Sequence, residues 1–271
     1  MAVDNFVLDT LERTSRTFFI PILRLPENLQ EVVAAAYLCL RAIDEIEDHD
    51  ALENEAKPGL LAGISLRIQS FSTRPEHDPF AELFRPYLEI LPEATLEIKR
   101  WLILAPDAIA PRVWDATAAM ADRMAFWAGN GWRIDTQADL DHYTFSVAGA
   151  VGLLLSDIWA WYDGTRTNRL HAVGFGRALQ AVNILRNQSQ DLERGVDFFP
   201  NGWRKEDMHR YARANLEIAW KYIEALPTGP ALNFCMIPYK LAAATLDAMQ
   251  SGGEKLSRAD VTRLVQETDS D

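Results

Sequence analysis

Two short stretches hold acids and amides in otherwise apolar company. The run Asp44-Glu45-Ile46-Glu47-Asp48 places four carboxylates at the end of an apolar stretch that starts near Glu27. On a helix, residues four apart share a face, with Cβ atoms roughly 6 Å apart. Asp44 and Asp48 therefore point into one space, while Glu45 and Glu47 splay to the sides. Such stacking is repulsive, and negative charge at a helix C-terminus opposes the macrodipole. A bound cation offsets both costs. Hard carboxylate oxygens suit Mg²⁺, which takes one or two of them together with water and phosphate oxygens. An isolated pair of this spacing also occurs at ordinary solvated helix ends. Here Tyr37 and Arg41 precede Asp44 at helical steps, so the same face also carries an aromatic ring and a cation.

The second stretch is Gln180-Ala-Val-Asn183-Ile-Leu-Arg186-Asn187-Gln-Ser-Gln-Asp191. Gln180, Asn183, Asn187 and Asp191 recur at steps of 3, 4 and 4, which makes one polar stripe on a helix whose intervening Val182, Ile184 and Leu185 are apolar. Buried amides and acids are costly without partners, so the stripe serves either an inter-helix hydrogen-bond network or a ligand. Arg186 could pair with a carboxylate or a diphosphate oxygen. Two helices with acid-bearing polar faces suit a diphosphate and its magnesium ions between them. The matching chemistry is ionisation of an allylic diphosphate, with metal neutralising the departing group.

The elements that must position these faces are helical, because apolar periodicity runs near 3.6 residues and no alternating β-branched run appears. Helices are expected over 3–22, 27–48, 110–128, 136–162, 168–193, 204–226, 230–250 and 257–267. Pro26 suits a helix start. Thr136 with Asp139, and Ser257 with Asp260, have capping-box spacing. His49–Asp50, Ser72–Asp78, Leu91–Pro92, Asp163–Gly164 and Asp197–Gly202 read as loops. The fold class expected is all-α, a single domain over 1–271 without repeats or linkers.

Composition excludes several functions. A net charge of −12 with no basic block argues against nucleic acid and against electrostatic docking on an anionic membrane. Cys39 and Cys235 lie in apolar contexts without CxxC spacing and read as buried free thiols of a reducing compartment. The N-terminus lacks the charged start and apolar core of a signal peptide, and no apolar run approaches a spanning length. The expected location is cytoplasmic, with transient membrane contact allowed by a lipid-like substrate. No Gly-x-Ser-x-Gly elbow is present, and Gly174-Phe-Gly176 follows no strand, so it is no dinucleotide fingerprint. A helical di-metal carboxylate site needs Glu-x-x-His, whereas Ile46 stands three residues before His49.

Four segments in order resemble the squalene/phytoene synthase family of head-to-head prenyl transferases. Thr14–Phe19 (TSRTFF) is similar to its N-terminal Ser-x-Ser-Phe-Tyr segment, and Tyr37–Asp48 to its first aspartate-rich motif. Tyr143–Gly152 (YTFSVAGAVG) resembles its central Tyr-x-x-x-Val-Ala-Gly-x-Val-Gly helix, and Gln180–Asp191 its second aspartate-rich motif. The resemblance implies an isoprenoid synthase helical bundle with a central prenyl cavity. It makes Asp44, Asp48, Asn187 and Asp191 the Mg²⁺ ligands, and gives diphosphate oxygens to Arg41, Arg186, Ser15, Thr17 and Tyr37. Val147, Ala148, Gly149 and Gly152 would line the prenyl channel, and Gln180 and Asn183 would face the reaction centre. Phe18, Phe19, Tyr143 and Phe145 would steady a carbocation by cation–π contact.

The chain departs from the family where its second motif reads Asn187-x-x-x-Asp191 in place of Asp-x-x-x-Asp. The amide keeps an oxygen for Mg²⁺ but removes a charge, with Gln190 and Glu193 as nearby substitutes. The expected reaction is condensation of two farnesyl or geranylgeranyl diphosphates. Its alternative is capture of the cation by water, releasing a prenyl alcohol such as farnesol. A non-catalytic prenyl-binding or assembly protein is the reading from another class, opposed by the intact acidic motif. Squalene formation would also need NADPH. A family-like state would be a monomer or loose homodimer. A further departure is Arg194-Gly-Val-Asp-Phe-Phe-Pro200, where the family has Arg-x-Tyr-x-Pro, so a phenolic hydroxyl is lost at Phe198 or Phe199.

Overall fold

In the computed structural model, which describes residues 3–15, 17–47, 49–72 and 77–251, the described residues are helices and loops with no strand. They divide into two compact units, the first ending at Gly131 and the second starting at Trp132.

The first unit opens with α1 (Asn5–Thr14), where the Asp4 side chain accepts the Val7 N–H at 3.0 Å. The single helix expected over 3–22 is in fact two, because the chain turns extended at Ser15 before α2 (Phe19–Leu23). Ser15 Oγ accepts the Phe18 N–H at 2.9 Å. A hydroxyl that offers the backbone a local partner competes with the helical ladder, and periodicity does not reveal that.

Helix α3 (Glu27–Glu47) buries Leu29, Val32, Ala36, Leu38, Cys39, Ile43 and Ile46 and follows the expected limits. Then come α4 (Ala56–Gln69), the short α5 (Ala81–Phe84) with a 3₁₀ turn, α6 (Glu93–Leu96), α7 (Ile98–Leu104) and α8 (Ala110–Gly129). Helix α3 packs against α6, α7 and α8, and α4 lies on α8. The buried Thr95 hydroxyl donates to the Ala42 carbonyl at 3.0 Å, tying α6 to the middle of α3.

The second unit begins with α9 (Gln137–Thr144), and Thr136 and Asp139 form the expected capping box. The helix expected to run unbroken to 162 is interrupted by a π-turn, Phe145–Gly149, before α10 (Ala150–Asp163). Thr144 and Ser146 hydroxyls donate back to the carbonyls of Leu140 and His142 at 2.7 and 2.8 Å across this junction. Helix α10 ends at Gly164, whose φ of 79° is the left-handed cap glycine favours. Asn168 caps α11 (Arg169–Glu193), and α12 (Lys205–Glu224) and α13 (Pro230–Gln250) follow. The 257–267 expectation lies outside the described residues.

Helix α11 is the centre of this unit, in contact with the π-turn, α10, α12 and α13. A Cβ on Gly152 would lie 1.9 Å from the Ala172 carbonyl oxygen, and one on Gly176 would lie 2.1 Å from that of Ala148. The two backbones thus touch through glycines. At Gly152 the space a side chain would take is filled by α11 backbone. Gly149 is likewise buried, its Cβ direction 3.1 Å from Val173 Cγ1.

The expectation that no run approaches spanning length is corrected as well. The helical stretch Gln137–Asp163 is long and apolar enough by composition, with a mean hydropathy of 1.3 in its most apolar window. Half of that window is buried inside the protein, as suits a core helix.

Gly152→Ala and Gly176→Ala should each lower unfolding free energy by about 2–3 kcal/mol through overpacking. In the exposed Gly59 of α4 a Cβ meets nothing within 4 Å, so Gly59→Ala should gain up to about 1 kcal/mol. Denaturant titrations of the three variants check both signs.

Candidate active site

In the first unit the turn after α1 and the face of α3 come together. Tyr37 donates its hydroxyl to the Thr14 carbonyl at 2.8 Å and also meets the Ser15 hydroxyl. The Phe18 ring lies against it, centroids 6.0 Å apart at 46°. Burial pushes the Tyr37 phenol above its ordinary value, only partly opposed by Ser15 and Arg41. Ser15, Phe18 and Tyr37, which come from two separate sequence motifs, therefore form one cluster; Thr17 and Phe19 beside them are half-buried.

One turn along α3, Arg41 holds two acids. Its Nη1 is 2.6 Å from Asp44 Oδ2, and its Nε donates to Glu45 Oε1 at 2.8 Å. Burial works to lower the guanidinium pKa, but the carboxylates of Asp44 and Glu45 outweigh it and the net shift is upward. The pair with Asp44 is about one-third exposed. That is open enough for its carboxylate to exchange partners. Asp48 lies outside the described residues.

In the second unit Gln180, Asn183, Asn187 and Asp191 follow one face of α11, the first three half-buried and Asp191 buried. Asp191 accepts from Arg194 Nη2 at 2.6 Å. Its carbonyl takes the Val196 N–H at 3.0 Å, which closes the helix end. Arg186 is exposed, and its Nε donates to Asn187 Oδ1 at 3.2 Å. Tyr143 stacks on Phe198, centroids 4.5 Å apart at 20°, and is almost fully buried. One face of that ring is thus already covered. Phe198 and Phe199 are buried beside Ile184, Gln188, Asp191 and Val196. In the π-turn Phe145, Val147 and Ala148 are half-buried.

The donor set fits Mg²⁺ by type, being oxygens from carboxylates and an amide. Among the described residues no three His, Cys, Asp or Glu side chains converge on one point. Asp44 and Asp191 are each neutralised by an arginine three residues away, so a metal at either would share or displace a guanidinium. The pairings of Glu45 with Arg41 and of Arg194 with Asp191 were not expected from the sequence, although their helical spacing was available as a signal.

Tyr37→Phe should cost about 1 kcal/mol through the lost bond to Thr14. Burial raises the folded-state pKa of Tyr37, and raises those of Tyr211 and Tyr222 further. Their contribution is therefore complete below about pH 10, the unfolded value, and is lost as pH rises toward the folded values. Denaturation midpoints compared at pH 9 and 11 should fall for the wild type and fall less for Tyr37→Phe.

Comparison with known proteins identifies the family. Residues 11–210 match the profile of the squalene/phytoene synthase family. The squalene synthase of Schizosaccharomyces pombe is 28% identical over 270 residues, covering 88% of this chain and 58% of that protein. The Homo sapiens squalene synthase is 28% identical, covering 88% of this chain and 61% of its own. The chain thus spans little more than half the length of these relatives. Among solved structures, a ligand complex of TcSQS superposes with TM-score 0.78 at 21% identity, covering 96% of this chain and 84% of that one. A dehydrosqualene synthase complex gives 0.63 at 17%, covering 98% and 94%. With nearly three quarters of its length matched by the family profile and an all-α fold shared with these synthases, the chain belongs to the squalene/phytoene synthase family.

Proposed function

We propose that the protein is a Mg²⁺-dependent prenyl transferase that joins two prenyl diphosphates, farnesyl or geranylgeranyl, head to head. The observation that carries this reading is the pairing, in each unit, of an acid on a largely apolar helix with a guanidinium at 2.6 Å: Asp44 with Arg41, and Asp191 with Arg194. Such pairs hold charge in place without a ligand and can release it to one. Family membership supplies the reaction class. Because the family match runs from residue 11 to 210, across the boundary between the units, we assign both to one synthase domain over 1–271.

In this reading Asp44, Asp48, Asn187 and Asp191 hold Mg²⁺, which supplies neutralisation of diphosphate charge. Arg41 and Arg186 offer planar donors to diphosphate oxygens. Ser15 and Thr17 add hydroxyl donors; Tyr37, kept protonated by burial, would exchange its bond to the Thr14 carbonyl to donate to a phosphate oxygen. Phe18, Phe19 and Phe145 offer ring faces to positive charge, and Val147 and Ala148 line the chain. NADPH enters only if the product is the reduced C30 hydrocarbon.

Asn187 favours a second reading. Its amide oxygen is already engaged by Arg186 and carries no charge, so ionisation without coupling would release a prenyl alcohol.

Purified protein incubated with Mg²⁺ and farnesyl diphosphate, with and without NADPH, should yield a C30 hydrocarbon by mass spectrometry, abolished by EDTA. Farnesol alone would overturn condensation, and Asn187→Asp would then be expected to restore coupling. Absence of any product from farnesyl and geranylgeranyl diphosphate would overturn the enzymatic reading.

A further inference from the structure

Lys57 is a buried lysine outside every motif singled out above. It is the second residue of α4 and is 6% exposed. An ammonium in the first turn of a helix opposes that helix's own dipole, and a buried one needs compensation. The explanation lies on α3: Lys57 Nζ donates to the carbonyl of Glu47 at 2.7 Å. Glu47 is the last residue of α3, so the lysine satisfies a carbonyl that the helix leaves open. It also sets positive charge at the C-terminus of a helix whose last turn is acidic and contains no basic residue.

We propose that Lys57 is a positioning residue for the first aspartate-rich motif. It fixes the end of α3, and with it the turn carrying Asp44 and Glu45, while its charge offsets the acids gathered there. Arg41 clamps the same turn from within the helix; Lys57 holds its end from a separate helix. The inference rests on the proposed Mg²⁺–diphosphate reading. A residue that merely stabilised the fold would alter melting without altering metal response, so the two roles separate experimentally.

The test is a thermal-shift titration of the full chain with Mg²⁺ at fixed inorganic diphosphate, for wild type, Lys57→Met and Lys57→Arg. Loss of a group that orients metal ligands typically weakens metal binding about 10- to 100-fold. Lys57→Met should therefore raise the Mg²⁺ midpoint by about tenfold or more. Lys57→Arg, which keeps donor and charge, should bring the midpoint back toward wild type. If Lys57→Met does not fold, Lys57→Gln takes its place and must shift the midpoint in the same direction. A wild-type response with an unchanged or lower midpoint in the neutral variants overturns the positioning role alone. Absence of any wild-type response overturns the Mg²⁺–diphosphate reading, and this inference with it.

Discussion

Carboxylates on apolar helices must be paired, and much of the candidate site follows from how this chain pairs them. An unpaired charge taken from water costs several kcal/mol even after relaxation, so each acid arrives with its counterion. Asp44 and Glu45 share Arg41, and Asp191 takes Arg194. Both Asp partners sit three residues away on the same helix or at its cap, so the pairs assemble as soon as the helix does. The resulting faces stay polar and occupied without any ligand. The Arg41–Asp44 pair also leaves its acid available, because a partly exposed ion pair is worth little and exchanges easily.

The second constraint is steric. The polar row of helix α11 from Gln180 to Asp191 continues toward the helix N-terminus as Ala172 and Gly176, which are pressed against Gly152 of α10 and Ala148 of the π-turn. Backbone contact of this kind leaves no space for rotation. The stripe from Gln180 to Asp191 therefore keeps its direction, and the π-turn, widened around the Thr144 and Ser146 hydroxyls, re-aims Val147 and Ala148 relative to α9.

Much of this could be read from the residues. The limits of α3, α8, α11, α12 and α13 lie close to those expected from periodicity, and the expected Thr136–Asp139 capping box starts α9. What escaped is set by groups that periodicity does not weigh. The break at Ser15 depends on one hydroxyl accepting one N–H. The π-turn leaves hydrophobic spacing nearly intact while shifting register. The close packing at Gly149 and Gly152 is not visible in the residues, because a missing side chain reads the same whether ligand or backbone lies against it. Lys57 was invisible because its partner is a carbonyl ten positions away on another helix. Ser15, Phe18 and Tyr37 do lie together, through the Ser15–Phe18 and Tyr37–Thr14 hydrogen bonds and the Phe18–Tyr37 ring contact.

The two thiols, Cys39 and Cys235, are both fully buried and free, and burial raises their pKa far above the ordinary thiol range. A thiol kept protonated in a dry interior is a poor nucleophile. The folded chain is therefore silent to alkylating reagents. One cysteine introduced at an exposed position, Ser189 on α11 for example, would be the sole reactive sulfur. A fluorophore there would report on the helix bearing the second polar stripe against no background, and alkylation of the native thiols would serve as a direct clock of unfolding.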